Sequence, residues 1–266
     1  MAGGNGAMAM SPHVLIVAGS DSSGGAGIAR DVETVSAFGL RSCLAVTAVT
    51  VQTHAAVEHI EHMPPQLIAA QMRAAFAANM VAAVKIGMLG TTAAMEAVGS
   101  VLTSYPNVPV VLDPVMASSS GRVLLQHDAI DALMSDLMPV CRLVTPNLIE
   151  LAMLTGLTPA LDEGGARLQG EALSTMLRTG VLAKGGHARE GLPAVDLLLQ
   201  PDCPVLRFEA PRLGGEERGT GCMLSSAISA CLALNATLEA SVAAAKQYVF
   251  DTLSMSTQWT RRSDSG

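Results

Sequence analysis

The stretch VLIVAGSDSSGGAGIARDVETVSAFG, residues 14–39, decides the fold class. It opens with VLIVA, a short β-branched run that predicts a buried strand. A glycine-rich loop follows, and the residues from about Gly27 to Phe38 then have the apolar spacing of a helix. A second β-branched run, CLAVTAV at 43–49, comes next. A strand, a helix and a second strand in this order predict a parallel strand pair joined by a crossover helix.

The same alternation continues to the end of the chain. Further strands are predicted at 83–87, 108–113, 142–145 and 181–186, with a hairpin at 196–200 and 205–210. Helices are predicted at 64–79, 91–104, 128–138, from Asn147 onward, 165–179, 221–235 and 238–258. We therefore expect one α/β domain over residues 13–260, a three-layer α/β/α sandwich around a mostly parallel sheet. Residues 1–12 are expected to form a disordered leader and residues 261–266 a short tail.

The composition argues against several functional classes. The net charge is −7 and aromatic residues make up 3% of the chain, so a nucleic acid would find neither a basic surface nor stacking platforms. The most apolar stretch, residues 222–245, is interrupted by serines and by Glu239, which predicts buried helices rather than a membrane span. Five cysteines without paired CxxC spacing favour neither a disulfide framework nor a zinc site. These cysteines fit a reducing cytoplasm best, and the N-terminus lacks the features of a signal peptide.

Four polar loops directly follow predicted strands. They span residues 19–27, 113–121, 145–150 and 184–187. Because ligands of parallel α/β sheets bind outside the carboxyl ends of the strands, we expect these loops to form one site.

The segment RGTGCM, residues 218–223, leads directly into the apolar helical pattern LSSAISACLAL. Unpaired amides and the dipole at such a helix start favour an anion, and they also favour the thiolate of Cys222. The segment thus offers an anion-binding turn and a candidate base together. The alternative is a glycine-rich loop that merely precedes a core helix.

The loop at 19–27 superficially resembles phosphate-binding motifs. Gly19 and Gly24 have the spacing of a P-loop, but Gly25 stands where the lysine of that motif belongs. Read as a dinucleotide fingerprint, the loop has Arg30 in place of the third glycine. What remains is a backbone open to a small ligand. Asp31, one turn into the next helix, is either a ligand contact or a solvated first-turn carboxylate.

Two further strand-end segments carry groups suited to a metal–nucleotide complex. Asn147 at a helix start, with Glu150 three residues later, fits ordinary capping chemistry. Alternatively, Glu150 and the strand-end Asp113 share a hydrated Mg²⁺. Lys184, followed by two glycines, either reaches a phosphate or precedes a simple turn.

Taken in order, these segments resemble a known family. The chain contains GSDSSGGAGIARD, VTAVTVQT, KIGMLG, VLDPVM, TPNLIE, LAKGGH and RGTGCMLSSAI. This set is similar to the ribokinase-like superfamily, and within it to the hydroxymethylpyrimidine/phosphomethylpyrimidine kinases of thiamine biosynthesis. The resemblance implies a ribokinase-like fold and a homodimer. It also implies ATP-dependent phosphorylation of 4-amino-5-hydroxymethyl-2-methylpyrimidine and then of its monophosphate.

The resemblance further implies roles for individual residues. The pyrimidine would lie against Gly19, Ala26, Asp31, Gln52, Met88 and Val115. The base would be Cys222, in a turn formed by Gly219, Thr220 and Gly221. ATP would be held by Asn147, Lys184, Gly185 and Gly186, and Mg²⁺ by Glu150 and Asp113. A cysteine where the sugar kinases have an aspartate base points to the pyrimidine branch.

The chain departs from the family pattern at five positions, which are Ser22, Thr53, Ser119, Arg218 and Met223. A lysine is common at 119 and a threonine at 223, so two potential phosphate partners are missing. The guanidinium of Arg218, where a histidine is usual, is suited to replace them. Two alternatives stay open. One is a pyridoxal kinase of the same fold, because the pyridoxal ring has a similar size and Cys222 does not exclude it. The other is a catalytically weakened protein that senses the pyrimidine, because of the losses at Ser119 and Met223.

Overall fold

The computed structural model describes residues 11–117, 125, 128–185, 193–213 and 218–263, and of residues 257–263 only the backbone. Nine strands are found within these ranges. They are β1 (His13–Ser20), β2 (Arg41–Gln52), β3 (Val57–His62), β4 (Val81–Ile86), β5 (Val110–Leu112), β6 (Leu143–Val144), β7 (Gly180–Lys184), β8 (Ala194–Leu199) and β9 (Leu206–Ala210).

All nine strands belong to one sheet, in the order β3-β2-β1-β4-β5-β6-β7-β8-β9. The six consecutive strands from β2 to β7 in this order are parallel to one another. β3 pairs antiparallel with β2 at one edge, and β8 and β9 form an antiparallel hairpin beside β7 at the other. The predicted mostly parallel sheet with an edge hairpin is confirmed.

The helices of the described ranges connect these strands and cover the sheet. They are α1 (Gly27–Ala37), α2 (Pro65–Ala78), α3 (Thr92–Leu102), α4 (Asp128–Ala132), α5 (Leu148–Thr155), α6 (Glu163–Leu177), α7 (Thr220–Ala233) and α8 (Leu238–Ser263).

Alternate side chains along the strands enter different cores. In β1, Leu15 and Val17 pack in the core that α2, α3, α5 and α6 cover, whereas Val14 and Ile16 face α1 and α7. Farther along the sheet, α7 and α8 enclose the core that contains Leu182 of β7. Burial of each such side chain contributes about 1.5–3 kcal/mol to folding. The predicted three-layer α/β/α arrangement is therefore confirmed.

Two local features differ from the sequence predictions. β3, with the sequence VEHIEH, was not predicted, because only Val57 is buried and an exposed edge strand shows no alternation of apolar and polar residues. The helix predicted at 128–138 is α-helical only to Ala132. It continues as a π turn at Leu133–Leu137 and a 3₁₀ turn at Met138–Val140, where Pro139 supplies no amide for a helical hydrogen bond.

The parallel strands end at one edge of the sheet, and the loops predicted to form a site begin there. None of the helices in the described ranges has the length and apolar character needed to cross a membrane. Most of the predicted leader and the last residues of the predicted tail lie outside the described residues, as do Ser119 and Gly186.

Candidate active site

The first turn of α7 is open at its N-terminus. Gly219 precedes the helix in the left-handed conformation, with φ +77°, and no side chain of the described residues caps the helix there. By contrast, Asn147, Thr91 and Asp162 cap α5, α3 and α6 with their side chains. The free amides of the first turn of α7 therefore face the sheet edge as potential partners of an anion.

Gly219 lies directly against the loop at 19–27. A Cβ at this position would collide with the carbonyl oxygen of Gly25 and would also approach the Cα of Ala26. Gly27 in turn lies against the carbonyl of Gly19. The absence of side chains thus allows two glycine-rich segments that lie far apart in sequence, at 19–27 and 218–223, to be in backbone contact.

Four of the residues predicted to hold a pyrimidine, Gly19, Ala26, Gln52 and Met88, lie in the loop at 19–27 or contact it. Gly19 at the end of β1 lies close to Ala48 and to the sulfur of Met88, which follows β4. Gln52, at the end of β2, is tied through its backbone N–H and carbonyl to the Ser22 hydroxyl, at 2.8 Å each. Val115 is half-buried in the loop after β5. We call the side of the site formed by Gly19, Ala26, Gln52 and Met88 the loop half.

The opposite side of the site is charged. Lys184 Nζ lies 2.7 Å from Asp113 Oδ1, and Thr145 donates to the same oxygen at 3.2 Å. A Cβ at Gly221 would lie 3.1 Å from Asp113 Oδ2 and 3.2 Å from Lys184 Nζ. Burial opposes the charge of Lys184, but the carboxylates of Asp113 and Glu150 outweigh it and raise the lysine pKa. We call Asp113, Asn147, Glu150, Lys184 and Gly185 the charged half.

Asn147 and Glu150 form the capping box of α5. Asn147 Oδ1 accepts from the amides of Ile149 and Glu150 at 2.9 Å, and Glu150 Oε2 accepts from the amide of Asn147 at 2.8 Å. Burial raises the pKa of Glu150, while Lys184 lowers it. The capping interpretation is thus visible in the structure, and the same carboxylate lies close enough to Lys184 and Asp113 to interact with both.

Gly185 is fixed from behind by a buried ion pair. Its amide donates to Asp196 Oδ1 at 3.0 Å, and Lys246 of α8 donates to Asp196 Oδ2 at 2.6 Å. A side chain at 185 would collide with the carbonyl of Val195. The position of this glycine is therefore set by α8 and β8, which sequence reasoning did not predict.

Cys222 lies in the first turn of α7, where Thr220 is the first helical residue. Burial raises the pKa of its thiol to about 11, although Lys85 and a backbone hydrogen bond from Gly27 lower it. The expectation that the helix start favours the thiolate is therefore wrong in its net effect. Desolvation of the thiolate exceeds the stabilisation that the dipole and Lys85 supply.

Asp31 is not part of the wall of the site. Its side chain has no exposed surface, Oδ2 lies 2.8 Å from Lys85 Nζ, and Oδ1 accepts from the Ser226 hydroxyl at 2.8 Å. Both oxygens that were expected to contact a ligand are used within the protein. Lys85 was missed by sequence reasoning, although a lysine in the apolar strand AVKIG is a recognisable signal.

Arg218 is also engaged within the protein. One guanidinium nitrogen donates to the carbonyl of Thr53 at 2.7 Å, and another lies 3.6 Å from the carboxylate of Asp21. Ser22, which binds the backbone of Gln52, lies in the same region. Two departures from the family pattern, Ser22 and Arg218, therefore tie together the loops around the loop half, and Thr53 takes part through its backbone carbonyl. Met223, in contrast, is buried in the core.

Arg218→Ala should weaken turnover of an alcohol and of its phosphorylated form alike, by about tenfold in kcat/KM, the value of one charge-assisted hydrogen bond. The reason is that Arg218 holds the Thr53 loop. Steady-state kinetics with both acceptors measures this. A loss confined to the phosphorylated acceptor would instead make Arg218 the replacement phosphate ligand that the sequence suggested.

The metal-binding capacity of the charged half is limited to a carboxylate pair. Among the side chains in the described ranges, no cluster of three or more histidine, cysteine, aspartate or glutamate residues could hold a metal by itself. Asp113 and Glu150 nevertheless fit Mg²⁺, which typically takes one or two protein carboxylates and completes its shell with waters and phosphate oxygens.

Comparison with known proteins agrees with this geometry. The family model described as phosphomethylpyrimidine kinase matches residues 21–265. The hydroxymethylpyrimidine/phosphomethylpyrimidine kinase of Rhizobium meliloti is 41% identical over 249 residues, which cover 92% of this chain and 91% of the relative.

Two solved structures are similar over most of the fold. Phosphomethylpyrimidine kinase from Clostridium difficile has a TM-score of 0.79 and 33% identity, covering 91% of this chain and 99% of that one. Pyridoxal kinase of Bacillus subtilis, solved with ADP, has a TM-score of 0.82 and 27% identity, covering 89% and 90%. The site geometry, the family match and these relatives lead to one conclusion: the chain belongs to the phosphomethylpyrimidine kinase family and is a phosphotransferase.

Proposed function

We propose that this protein transfers the γ-phosphoryl group of ATP to 4-amino-5-hydroxymethyl-2-methylpyrimidine, and then to the resulting monophosphate, in thiamine biosynthesis. One observation carries the proposal. The first turn of α7 contacts both halves of the site, since Gly219 lies against Gly25 and Ala26, and Gly221 lies against Asp113 and Lys184. An acceptor bound at the loop half and a nucleotide bound at the charged half would therefore meet at Cys222.

Phosphoryl transfer requires mainly that the reactants are positioned and that the phosphate charge is neutralised. Cys222 in its thiolate form accepts the proton of the acceptor hydroxyl as that oxygen bonds to the γ-phosphorus and the bond to the β-phosphate oxygen breaks. The amides of the first turn of α7 stabilise the charge that develops on the transferred group. Lys184 supplies a positive charge beside them, and ADP leaves with the electron pair of the broken bond.

The loop half would bind the pyrimidine through Gly19, Ala26, Gln52 and Met88, with Val115 beside the ring. The charged half would bind ATP through Asn147, Lys184, Gly185 and Gly186. Mg²⁺ would be held by Asp113 and Glu150, where it would neutralise phosphate charge. In this proposal Asp31 keeps no ligand contact, because both of its oxygens are bound by Lys85 and Ser226.

Glu150→Gln tests the metal role against the capping role. The glutamine oxygen can still accept from the Asn147 amide, so the melting temperature should change by only a few degrees. The charge near Lys184 and Asp113 is lost, so the Mg²⁺ concentration for half-maximal rate should rise by about tenfold, the value of one charge-assisted contact. Thermal melting and a Mg²⁺ titration decide this. Lower stability with an unchanged titration would show that Glu150 is only a capping residue.

The principal alternative substrate is pyridoxal, because the pyridoxal kinase of Bacillus subtilis shares the fold at a TM-score of 0.82. The pyrimidine is favoured because the relative with 41% identity is named for that substrate. Side-by-side measurement of kcat/KM for the two alcohols tests this choice. We expect the pyrimidine to be preferred, and a much higher value for pyridoxal would overturn the assignment. Binding of the pyrimidine without ATP turnover would support a sensor instead.

We also propose that the protein works as a homodimer in the cytoplasm. The family resemblance supports a dimer, and Val49 and Val51 of β2 are about half exposed, at 47% and 52%. All five cysteines are free thiols, as is usual in a reducing compartment. Sedimentation equilibrium at micromolar concentration would test the dimer, and a mass corresponding to one chain would refute it.

A further inference from the structure

Directly beneath the first turn of α7 lies a fully buried ion pair. Lys85 of β4 and Asp31 of α1 both have 0% exposed surface, and their charged atoms are 2.8 Å apart. Burial opposes the charged form of Lys85, but Asp31, Cys222 and Asp113 together outweigh it and raise the lysine pKa. Burial also raises the pKa of Asp31, although Lys85 and Ser226 lower it. A protonated Asp31 would leave a buried ammonium without a counter-charge, so we treat the pair as ionised.

The pair is attached to α7 through Ser226. The Ser226 hydroxyl donates to Asp31 Oδ1 at 2.8 Å, and Ser226 follows Cys222 by four residues, so the two side chains lie on the same face of the helix. Gly27, the first residue of α1, donates its amide to the sulfur of Cys222. Gly27 belongs to α1 and Cys222 to α7, and these are the two helices that Asp31 connects through its hydrogen bond with Ser226.

An ion pair that connects β4, α1 and α7 in the interior adds little net stability. Desolvation of two charges costs several kcal/mol, and apolar residues of similar volume often stabilise a fold as well or better. The pair is therefore better explained by what it does to its surroundings than by stability. The reactive group on the same face of α7 as Ser226 is Cys222. Lys85, Asp31 and Asp113 all influence it electrostatically, and it in turn influences Lys184.

We propose that Lys85 and Asp31 are positioning residues for Cys222: Asp31 fixes α1 and α7 around the thiol, and the ammonium of Lys85 stabilises its thiolate. Neither residue touches a substrate. The inference rests on the proposed function of Cys222 as the base. It adds that the ammonium of Lys85 is the positive charge that stabilises the buried thiolate.

The alkylation rate of Cys222 with iodoacetamide, resolved by peptide mass spectrometry, tests the proposal in the full-length protein without substrates. Thiolate reacts and thiol does not, so a change of one unit in pKa alters the rate by about tenfold at neutral pH. Lys85→Met should slow alkylation by about tenfold, because a favourable positive charge is lost. Asp31→Asn should accelerate it, because an unfavourable negative charge is lost.

Lys85→Met and Asp31→Asn are expected to change the alkylation rate of Cys222 in opposite directions. Damage to the fold would change both rates in the same direction, so the comparison separates electrostatics from misfolding. The double variant Lys85→Met/Asp31→Leu leaves no unpaired buried charge and guards against misfolding of the single variants. It should still react more slowly than the native protein, because Lys85 has the larger influence on Cys222. A native alkylation rate in the double variant, or slower alkylation in both single variants, would overturn the proposal.

A matched control is available in the same fold. Lys246→Met removes a buried lysine from a second Lys–Asp pair, in which Asp196 accepts from the amide of Gly185. It should leave the alkylation rate of Cys222 within about twofold of native, as for independent sites. Because alkylation is measured without ATP or acceptor, its result stands even if turnover assays refute the proposed kinase activity. Conversely, unchanged alkylation of Cys222 in the Lys85 variants would refute the inference even where the native protein shows kinase turnover.

Discussion

Cys222→Ala is expected to lower kcat by about 10²–10⁴-fold, the usual value of general-base assistance. The alanine keeps the helical backbone, and the amides of the first turn of α7 remain in place. Affinity for ATP should therefore change little, since the nucleotide is proposed to bind at the charged half. Steady-state turnover and equilibrium binding of ATP measure the two quantities separately.

A second expectation concerns the pH dependence of kcat/KM. Because the pKa of Cys222 is raised to about 11, the thiolate fraction and hence kcat/KM should rise with pH from neutrality upward. In Cys222→Ala that rise should be absent. Cys231→Ala is the matched control, since Cys231 is a buried cysteine of the same helix with no part in the proposed chemistry. Near-native kcat in Cys222→Ala would show that the thiol is only packed core.

Gly219→Ala is expected to lower kcat/KM by about 10²-fold, the cost of misplacing catalytic groups by about 1 Å. The new Cβ would collide with the carbonyl of Gly25, and backbone cannot move aside as a flexible side chain can. The first turn of α7 and the loop half would therefore separate. Turnover of the pyrimidine alcohol measures the loss.

Gly24→Ala separates this collision from backbone strain. Gly24 has φ +75°, close to the φ +77° of Gly219, but a Cβ there would meet nothing within 4 Å. Both variants should lose about 1–2 kcal/mol of stability from the left-handed conformation. Only Gly219→Ala should lose most of its activity. Equal losses of activity in the two variants would mean that strain, and not contact between the two glycine segments, explains the effect.

The alternation of strands and helices was sufficient to predict the layers and most of the sheet. Its failures have local causes. β3 is an edge strand in which only Val57 is buried, so VEHIEH lacks the alternation by which strands are predicted. The irregular turns after α4 depend on packing against neighbours, which a helical pattern in the sequence does not contain.

The candidate site was predictable where it consists of backbone and loops. The positions of Gly219, Gly221 and Lys184 at the sheet edge follow from strand ends and helix starts alone. Tertiary contacts decided the rest. Asp31 looked like a first-turn carboxylate and is instead the buried partner of Lys85, and desolvation reversed the expected effect of the helix start on Cys222.

The most direct test of the proposed function is a ³¹P NMR time course of the protein with Mg²⁺-ATP and 4-amino-5-hydroxymethyl-2-methylpyrimidine, run beside Cys222→Ala. We expect a phosphomonoester signal that grows as ATP is converted to ADP, followed by signals of a diphosphate ester. The variant should show neither on the same time scale. If ATP gives only ADP and inorganic phosphate, or if the variant forms the phosphomonoester as fast as the native protein, the account of this site is contradicted.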